Sequence, residues 1–190
     1  MRGKRLLQTL KLYTILTSTK RTKYLKEKGI WGAIGENCNI MSRTVPLYAK
    51  LIKLGNNVRI ASNVTFVTHD VTHVMLNDNP NLNGEKFKEK IGCIEIQDNV
   101  FIGTGTIILY GVRIGSNVII GAGSLINKDI PPNSVVGGVP ARIISTFNEY
   151  LEKRRTEDIY TDEIKPRNEM ISDEAAEWCW KKFYKSHDEK

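Results

Sequence analysis

Isoleucine recurs at every sixth position along the middle of the chain: Ile96, Ile102, Ile108, Ile114, Ile120 and Ile126. Four positions after each stands a small or β-branched residue: Val100, Thr106, Val112, Val118, Ser124 and Ile130. Glycine follows the isoleucine at Gly103, Gly115 and Gly121. A fixed period held over six units marks a repeat architecture, in which each unit buries its faces only against its neighbours. An α-helix would need apolar residues three and four apart, and the Gly, Asn and β-branched content opposes a helix as well. Each hexapeptide instead reads as a short strand and a turn, with three hexapeptides making one triangular circuit of 18 residues. Ile96 is therefore predicted to stack on Ile114, and Ile102 on Ile120, with the isoleucines filling the interior. Gly, Asn and Asp serve the corners, and parallel-strand hydrogen bonds set the circuits ~4.8 Å apart.

The same period runs earlier through Ile34 and Ile40, then Leu54, Ile60 and Phe66. Ile34 and Leu54 are 20 residues apart, two more than a full circuit, which a small bulge near residues 44–53 would absorb. Between Phe66 and Ile96 the period fails for 30 residues. The polar stretch 71–90, rich in Asn, Gly and Lys, reads as a loop projecting from a corner, and loops of that length on a regular scaffold tend to carry function. After Ile130 come Pro131 and Pro132 and an exit through residues 136–144. Residues 4–28 read as one or two short helices, 146–155 as another, and 173–186 as a last one capped by Ser172 or Asp173. That last helix carries Trp178, Trp180, Phe183 and Tyr184. It must cover something: a neighbouring subunit, the flank of the coil, or an acceptor laid on an aromatic platform. The organisation is then a basic helical arm at 1–29, a parallel β-helix at 30–145 with a protruding loop at 70–91, and a helical extension at 146–190.

Charge is concentrated at one end. Residues 1–28 hold nine Lys or Arg and one acid, Glu27, whereas the remainder holds 19 basic and 20 acidic residues. Such an arm is a solvated helix face, or it sits on an anionic membrane surface or holds a polyanionic acceptor. No aromatic-interleaved basic surface points to nucleic acid. No stretch reaches the ~20 apolar residues of a membrane span, and the run 6–13, broken by Gln8 and Lys11, is not followed by a small-residue cleavage site. Cys38, Cys93 and Cys179 are scattered, without a CxxC pair, so neither a disulfide framework nor a zinc site is indicated. A reducing, cytoplasmic location is the default expectation.

Several segments together resemble the hexapeptide-repeat acyltransferases. They are the repeat itself, Val67-Thr68-His69-Asp70 at the opening of the loop, Asn99-Val100-Phe101-Ile102-Gly103, Ile120-Gly121-Ala122-Gly123-Ser124, and Gly138-Val139-Pro140-Ala141-Arg142. The similarity is greatest to the maltose, galactoside and streptogramin acetyltransferases and to capsule or lipopolysaccharide O-acetyltransferases, and covers residues 30–146. It implies a left-handed parallel β-helix, an exception to the right-handed crossover rule, and a homotrimer with acetyl-CoA lying between two subunits. The expected fold is thus an all-β solenoid with a short N-terminal helical region and C-terminal helices.

Transferring an acetyl group to a hydroxyl needs a base with a pKa near neutrality, and histidine is the natural candidate. The resemblance assigns that role to His69, and the oxyanion donor to the backbone amide of Thr104. It places Phe101, Gly103, Gly121 and Ala122 beside coenzyme A, and Lys128 and Arg142 at its phosphates. Lys128 and Arg142 have an alternative reading as ordinary surface cations, and Gly121 reads equally as a turn glycine. Asp70 orients His69, binds a sugar hydroxyl or serves a turn. His73 borders the acceptor or is a bystander. Ser42 falls where relatives place an acceptor-binding Asn, so the acceptor is the least specified element. No metal is expected, because only His69, His73 and His187 are available. The expected activity is acetylation of a hydroxyl of a sugar or cell-surface glycan precursor. An antibiotic, an amino sugar, or a non-catalytic binding role are the alternatives.

Overall fold

A computed structural model describes residues 2–157, 160 and 170–188. It divides into two compact units, 1–151 and 152–190.

The first unit opens with helices α1 (Arg2–Thr14) and α2 (Ser18–Glu27). Strands β1 (Ala33–Ile34) and β2 (Asn39–Ile40) follow, then β3 (Ile52–Leu54), β4 (Arg59–Ile60) and β5 (Thr65–Val67). An excursion holds β6 (His69–Asp70), helix α3 (Thr72–Asn77), a 3-10 turn at Pro80–Leu82 and β7 (Lys90–Ile91). Then come β8 (Ile94–Ile96), β9 (Val100–Ile102), β10 (Ile107–Leu109), β11 (Val112–Ile114), β12 (Val118–Ile120) and β13 (Leu125–Ile126). Strands β14 (Ser134–Gly138) and β15 (Ala141–Thr146) and helix α4 (Phe147–Thr156) complete the path.

These strands assemble into three main sheets, which the chain visits in fixed rotation. Sheet A is β1-β3-β8-β11, sheet C is β5-β10-β13, and sheet B is β2-β4-β9-β12-β14-β15. All neighbours are parallel except β14 and β15, which form an antiparallel hairpin at the end of sheet B. Ile114 lies opposite Ile96, Ile120 opposite Ile102 and Ile126 opposite Ile108, the 18-residue stacking that the hexapeptide period predicts. Ile34 opposite Leu54 and Ile40 opposite Ile60 confirm the 20-residue first circuit. Leu54 faces Ile96 and Phe66 faces Ile108, each 42 residues on, so the excursion adds 24 residues to one circuit.

The six isoleucines of the repeat are at most 1% exposed. Each buried isoleucine side chain contributes about 2 kcal/mol by leaving water. The small residues four positions later close the corners. Thr106 Oγ1 donates to the Gly103 carbonyl (2.8 Å) and Ser124 Oγ to the Gly121 carbonyl (2.6 Å). Each hydroxyl is buried, and the bond satisfies it.

Helix α2 covers the first circuit. Thr22 Oγ1 accepts from the Ile40 amide (2.8 Å), which occupies a donor on the edge strand of sheet B. In the second unit, α5 (Asp173–Asp188) begins at Ser172, whose Oγ accepts from the Ala175 amide (3.2 Å). Trp180, Phe183 and Tyr184 stand exposed along it. No helix among the described residues is long and apolar enough to cross a membrane.

Candidate active site

Three corners join the three sheets, and they differ in chemistry. At the corner from A to B, Asn37, Asn57, Asn99, Asn117 and Asn133 all adopt left-handed backbone with φ between 53° and 58°, a conformation asparagine tolerates better than most residues. Their amides form a ladder in which each donates to the next, at 3.1, 3.0, 3.1 and 2.9 Å.

The corner from C to A is interrupted by the excursion. Thr68, fully buried, donates from Oγ1 to the Leu47 carbonyl (2.7 Å), and the Gly92 amide donates to the Thr68 carbonyl (2.9 Å). Between these anchors the chain leaves and returns through an antiparallel ribbon pairing His69 with Ile91 and Asp70 with Lys90. Asp70 fastens this ribbon. Its Oδ1 accepts from Thr72 Oγ1 (2.7 Å) and the Thr72 amide (3.2 Å), and its Oδ2 accepts from Tyr110 Oη (2.6 Å), one circuit on. The Tyr110 and Thr72 bonds, aided by the Lys90 charge, hold the Asp70 carboxyl below the ordinary aspartate range, and the same bond pushes the Tyr110 phenol up.

His69 sits half-buried at the root of this excursion, edge-on to the Tyr48 ring with centroids 5.3 Å apart. Its Nδ1 is buried and has no hydrogen-bond partner among the described residues. An unsatisfied buried nitrogen calls for a partner supplied from elsewhere. Tyr48 has left-handed backbone (φ 51°) and donates from Oη to both oxygens of Glu89, which raises its phenol pKa. His73, on α3, likewise has a buried Nδ1 without a partner among the described residues. Lys128 is exposed at this same corner in the last circuit.

The corner from B to C carries the other set. The amides of Gly103, Gly105 and Thr106 donate to the carbonyls of Ile120, Ser62 and Gly103, whereas that of Thr104 donates no hydrogen bond among the described residues. Ala122, stacked above, repeats the pattern between Gly121 and Gly123. Gly103 is a packing glycine, since a Cβ there would lie 2.5 Å from the Ala122 nitrogen. At Gly121 a Cβ would meet Val136 O at an ordinary 3.5 Å, so packing does not demand glycine there.

The remaining candidates are dispersed. Phe101 points outward from sheet B between Arg59 and Ile119, 45% exposed. Ser42 is buried just past β2, its Oγ 3.2 Å from Thr44 Oγ1. Arg142 lies on the closing hairpin and donates to the Ala141 carbonyl (2.9 Å). Within one chain, then, His69, Asp70, His73 and Lys128 share one corner, Thr104 and Ala122 another, and sheet C separates the two. Of its outward residues, Val67, Ile107, Leu109 and Leu125 are apolar and Thr65 is polar, and all are at least partly exposed. A cavity of 480 Å³ opens instead on sheet A, lined among others by Lys50, Cys93, Glu95 and Arg113 and not by His69. Among the described residues no cluster of three His, Cys, Asp or Glu could hold a metal.

Tyr48, Glu89 and Tyr110 are absent from the set that the sequence singles out. Tyr110 was within reach of counting, because it precedes the Gly111 turn at the corner where the period breaks. Nothing in the sequence marks a left-handed Tyr48.

The sequence profile described as bacterial transferase hexapeptide (six repeats) matches residues 94–128, the two most regular circuits. The galactoside O-acetyltransferase of Escherichia coli K12 is 46% identical over 100 residues, covering 52% of this chain and 45% of that protein. The chain thus aligns with about half the length of that relative. The solved maltose O-acetyltransferase from Clostridium difficile 630 is 31% identical with a TM-score of 0.54, covering 76% of this chain and 85% of that one. A galactoside acetyltransferase solved in complex with coenzyme A is 30% identical with a TM-score of 0.56, covering 85% and 87%. The chain belongs to the hexapeptide-repeat acyltransferases. Within that family its similarity runs to proteins named as galactoside and maltose O-acetyltransferases.

Proposed function

We propose that the protein is an acetyl-CoA-dependent O-acetyltransferase whose acceptor is a hydroxyl of a sugar or glycan precursor, and that its circuits wind as a left-handed parallel β-helix. The observation that carries this reading is the pair of unmet groups on either side of sheet C: the buried Nδ1 of His69 and the undonated amide of Thr104. His69 takes the proton of the acceptor hydroxyl as its oxygen attacks the acetyl carbonyl carbon. The Thr104 amide meets the negative charge that develops on the carbonyl oxygen. As the carbon–sulfur bond breaks, the departing thiolate takes the proton from His69.

One chain holds these two groups at different corners, so the site needs two copies, the His69 corner of one beside the Thr104 corner of the next. A homotrimer meets that need for every site, with the apolar outer residues of sheet C turned toward the neighbour. The same neighbour is the source we assign for the missing partner of His69 Nδ1. Ala122, with its free amide, suits the peptide-like arm of coenzyme A; Phe101, Gly103 and Gly121 border it, and Lys128 and Arg142 suit its phosphates. His73 faces the acceptor. Ser42 borders it by backbone, since its hydroxyl is engaged with Thr44. Both Asp70 oxygens are taken up by Thr72 and Tyr110, so we assign Asp70 to holding the excursion in place.

The deciding experiment measures thiol release from acetyl-CoA across sugars, nucleotide sugars and streptogramins, alongside sedimentation. Turnover with a sugar acceptor by a trimer supports the reading. A His69→Ala protein that keeps full activity with the true acceptor, or an active monomer, defeats it.

A further inference from the structure

Helix α1 is mounted with an apolar stripe facing outward. Leu6, Leu7, Leu10 and Tyr13, at positions i, i+1, i+4 and i+7, are 54–68% exposed, although such a stripe ordinarily faces a core. The helix meets the body through other residues. Leu12 is fully buried, and Thr9 Oγ1 accepts from the Val45 amide (3.3 Å). Its C-terminal end is locked as well. The buried Arg21 guanidinium donates to the carbonyls of Ile15, Leu16 and Met41 at 2.8, 3.0 and 3.3 Å, and Arg43 donates to the Tyr13 carbonyl (3.2 Å). The outward stripe is therefore a fixed surface and not a loosely tethered arm.

Cations rim it. Lys4 and Lys11, three residues before and four after Leu7, lie on the same row as that leucine and are exposed. On the other edge the Arg43 guanidinium stands 5.9 Å from the Tyr13 ring. The first 28 residues carry nine cations and one acid. Leucines that enter the acyl boundary, a tyrosine at the water interface and lysines at headgroup level match an anionic bilayer surface. A second copy would bring the same positive excess to the contact, and like charges oppose that pairing.

We propose that α1 lies in the plane of a bilayer surface and docks the protein on anionic lipid headgroups. The test is flotation of the full-length protein with phosphatidylcholine vesicles made with or without phosphatidylglycerol. Binding is expected only with phosphatidylglycerol, and salt should release it. Lys4→Gln with Lys11→Gln should weaken it about twenty-fivefold at low salt, roughly fivefold per cation. Leu6→Gln with Leu10→Gln should weaken it more than about tenfold at any salt. Both variants should melt like the parent and keep its thiol release, which separates this proposal from the assignment of the acetyl-transfer site. If the leucine variant fails to fold, the lysine variant decides alone. Equal flotation with neutral vesicles, or undiminished binding by the lysine variant, overturns the proposal. So does a leucine variant that loses sedimentation mass while still floating, which would make the stripe a contact between copies.

Discussion

Two corners of the same fold are built on opposite terms. From sheet A to sheet B, every circuit turns through a left-handed asparagine, and all five are joined by side-chain amides. From sheet C to sheet A no such uniformity holds: one circuit turns at Gly111 and another opens into a 24-residue excursion clasped by Asp70 and Tyr110. The asparagine corner satisfies its own polar groups. The clasped corner leaves Nδ1 of both His69 and His73 without partners among the described residues. Unmet hydrogen-bonding capacity in a folded protein is a demand for something that binds, and both histidines that carry it stand where the repeat is broken.

The contrast predicts losses of different kinds. At the broken corner, His69→Ala should lower turnover about a hundredfold to ten-thousandfold while the melting temperature stays put, read by thiol release and calorimetry. A large drop in melting temperature would mean that His69 serves the fold. At the regular corner, Gly115→Ala would place a Cβ 2.5 Å from the Pro132 nitrogen, and backbone cannot retreat, so urea unfolding should show a loss of about 3 kcal/mol. Asn99→Ala removes two rungs and forces alanine into left-handed backbone, with a loss of about 2 kcal/mol, and Asn99→Gly should recover about half. If the two are equal, the ladder matters and the backbone does not.

The smallest effect belongs to Tyr110→Phe. It should speed hydrogen exchange at Lys90 and Ile91 without changing global unfolding. Acid should do the same to the parent. The Asp70 carboxyl is lowered by its bonds, so the clasp contributes in full above the ordinary aspartate pKa and is lost as pH falls through the lowered one. Asp70→Asn should abolish that pH dependence.

Much of this was legible in the residues. The isoleucine period gave the strand positions and their partners, and its failure after Phe66 located the excursion. What the period does not carry is contact made outside it. The clasp joins Asp70 to Tyr110, 40 residues apart, and the asparagine ladder follows spacings of 20, 42, 18 and 16 that emerge only once the register is known. The separation of His69 from Thr104 could have been counted. One stands three residues past an inward residue of sheet C, Phe66, and the other two past an inward residue of sheet B, Ile102, which puts them in different phases of the repeat.

The antiparallel strand β15 at the end of sheet B has a consequence for how such a column can evolve. A stack of identical parallel rungs invites further rungs, from its own kind or from another chain. Here the final rung runs against the grain, and at the opposite end Thr22 of α2 occupies an edge donor. Growth is stopped at both termini by pieces that are not themselves repeats. Whole circuits between them are free to be duplicated or lost, lengthening or shortening the molecule without reopening it to polymerisation.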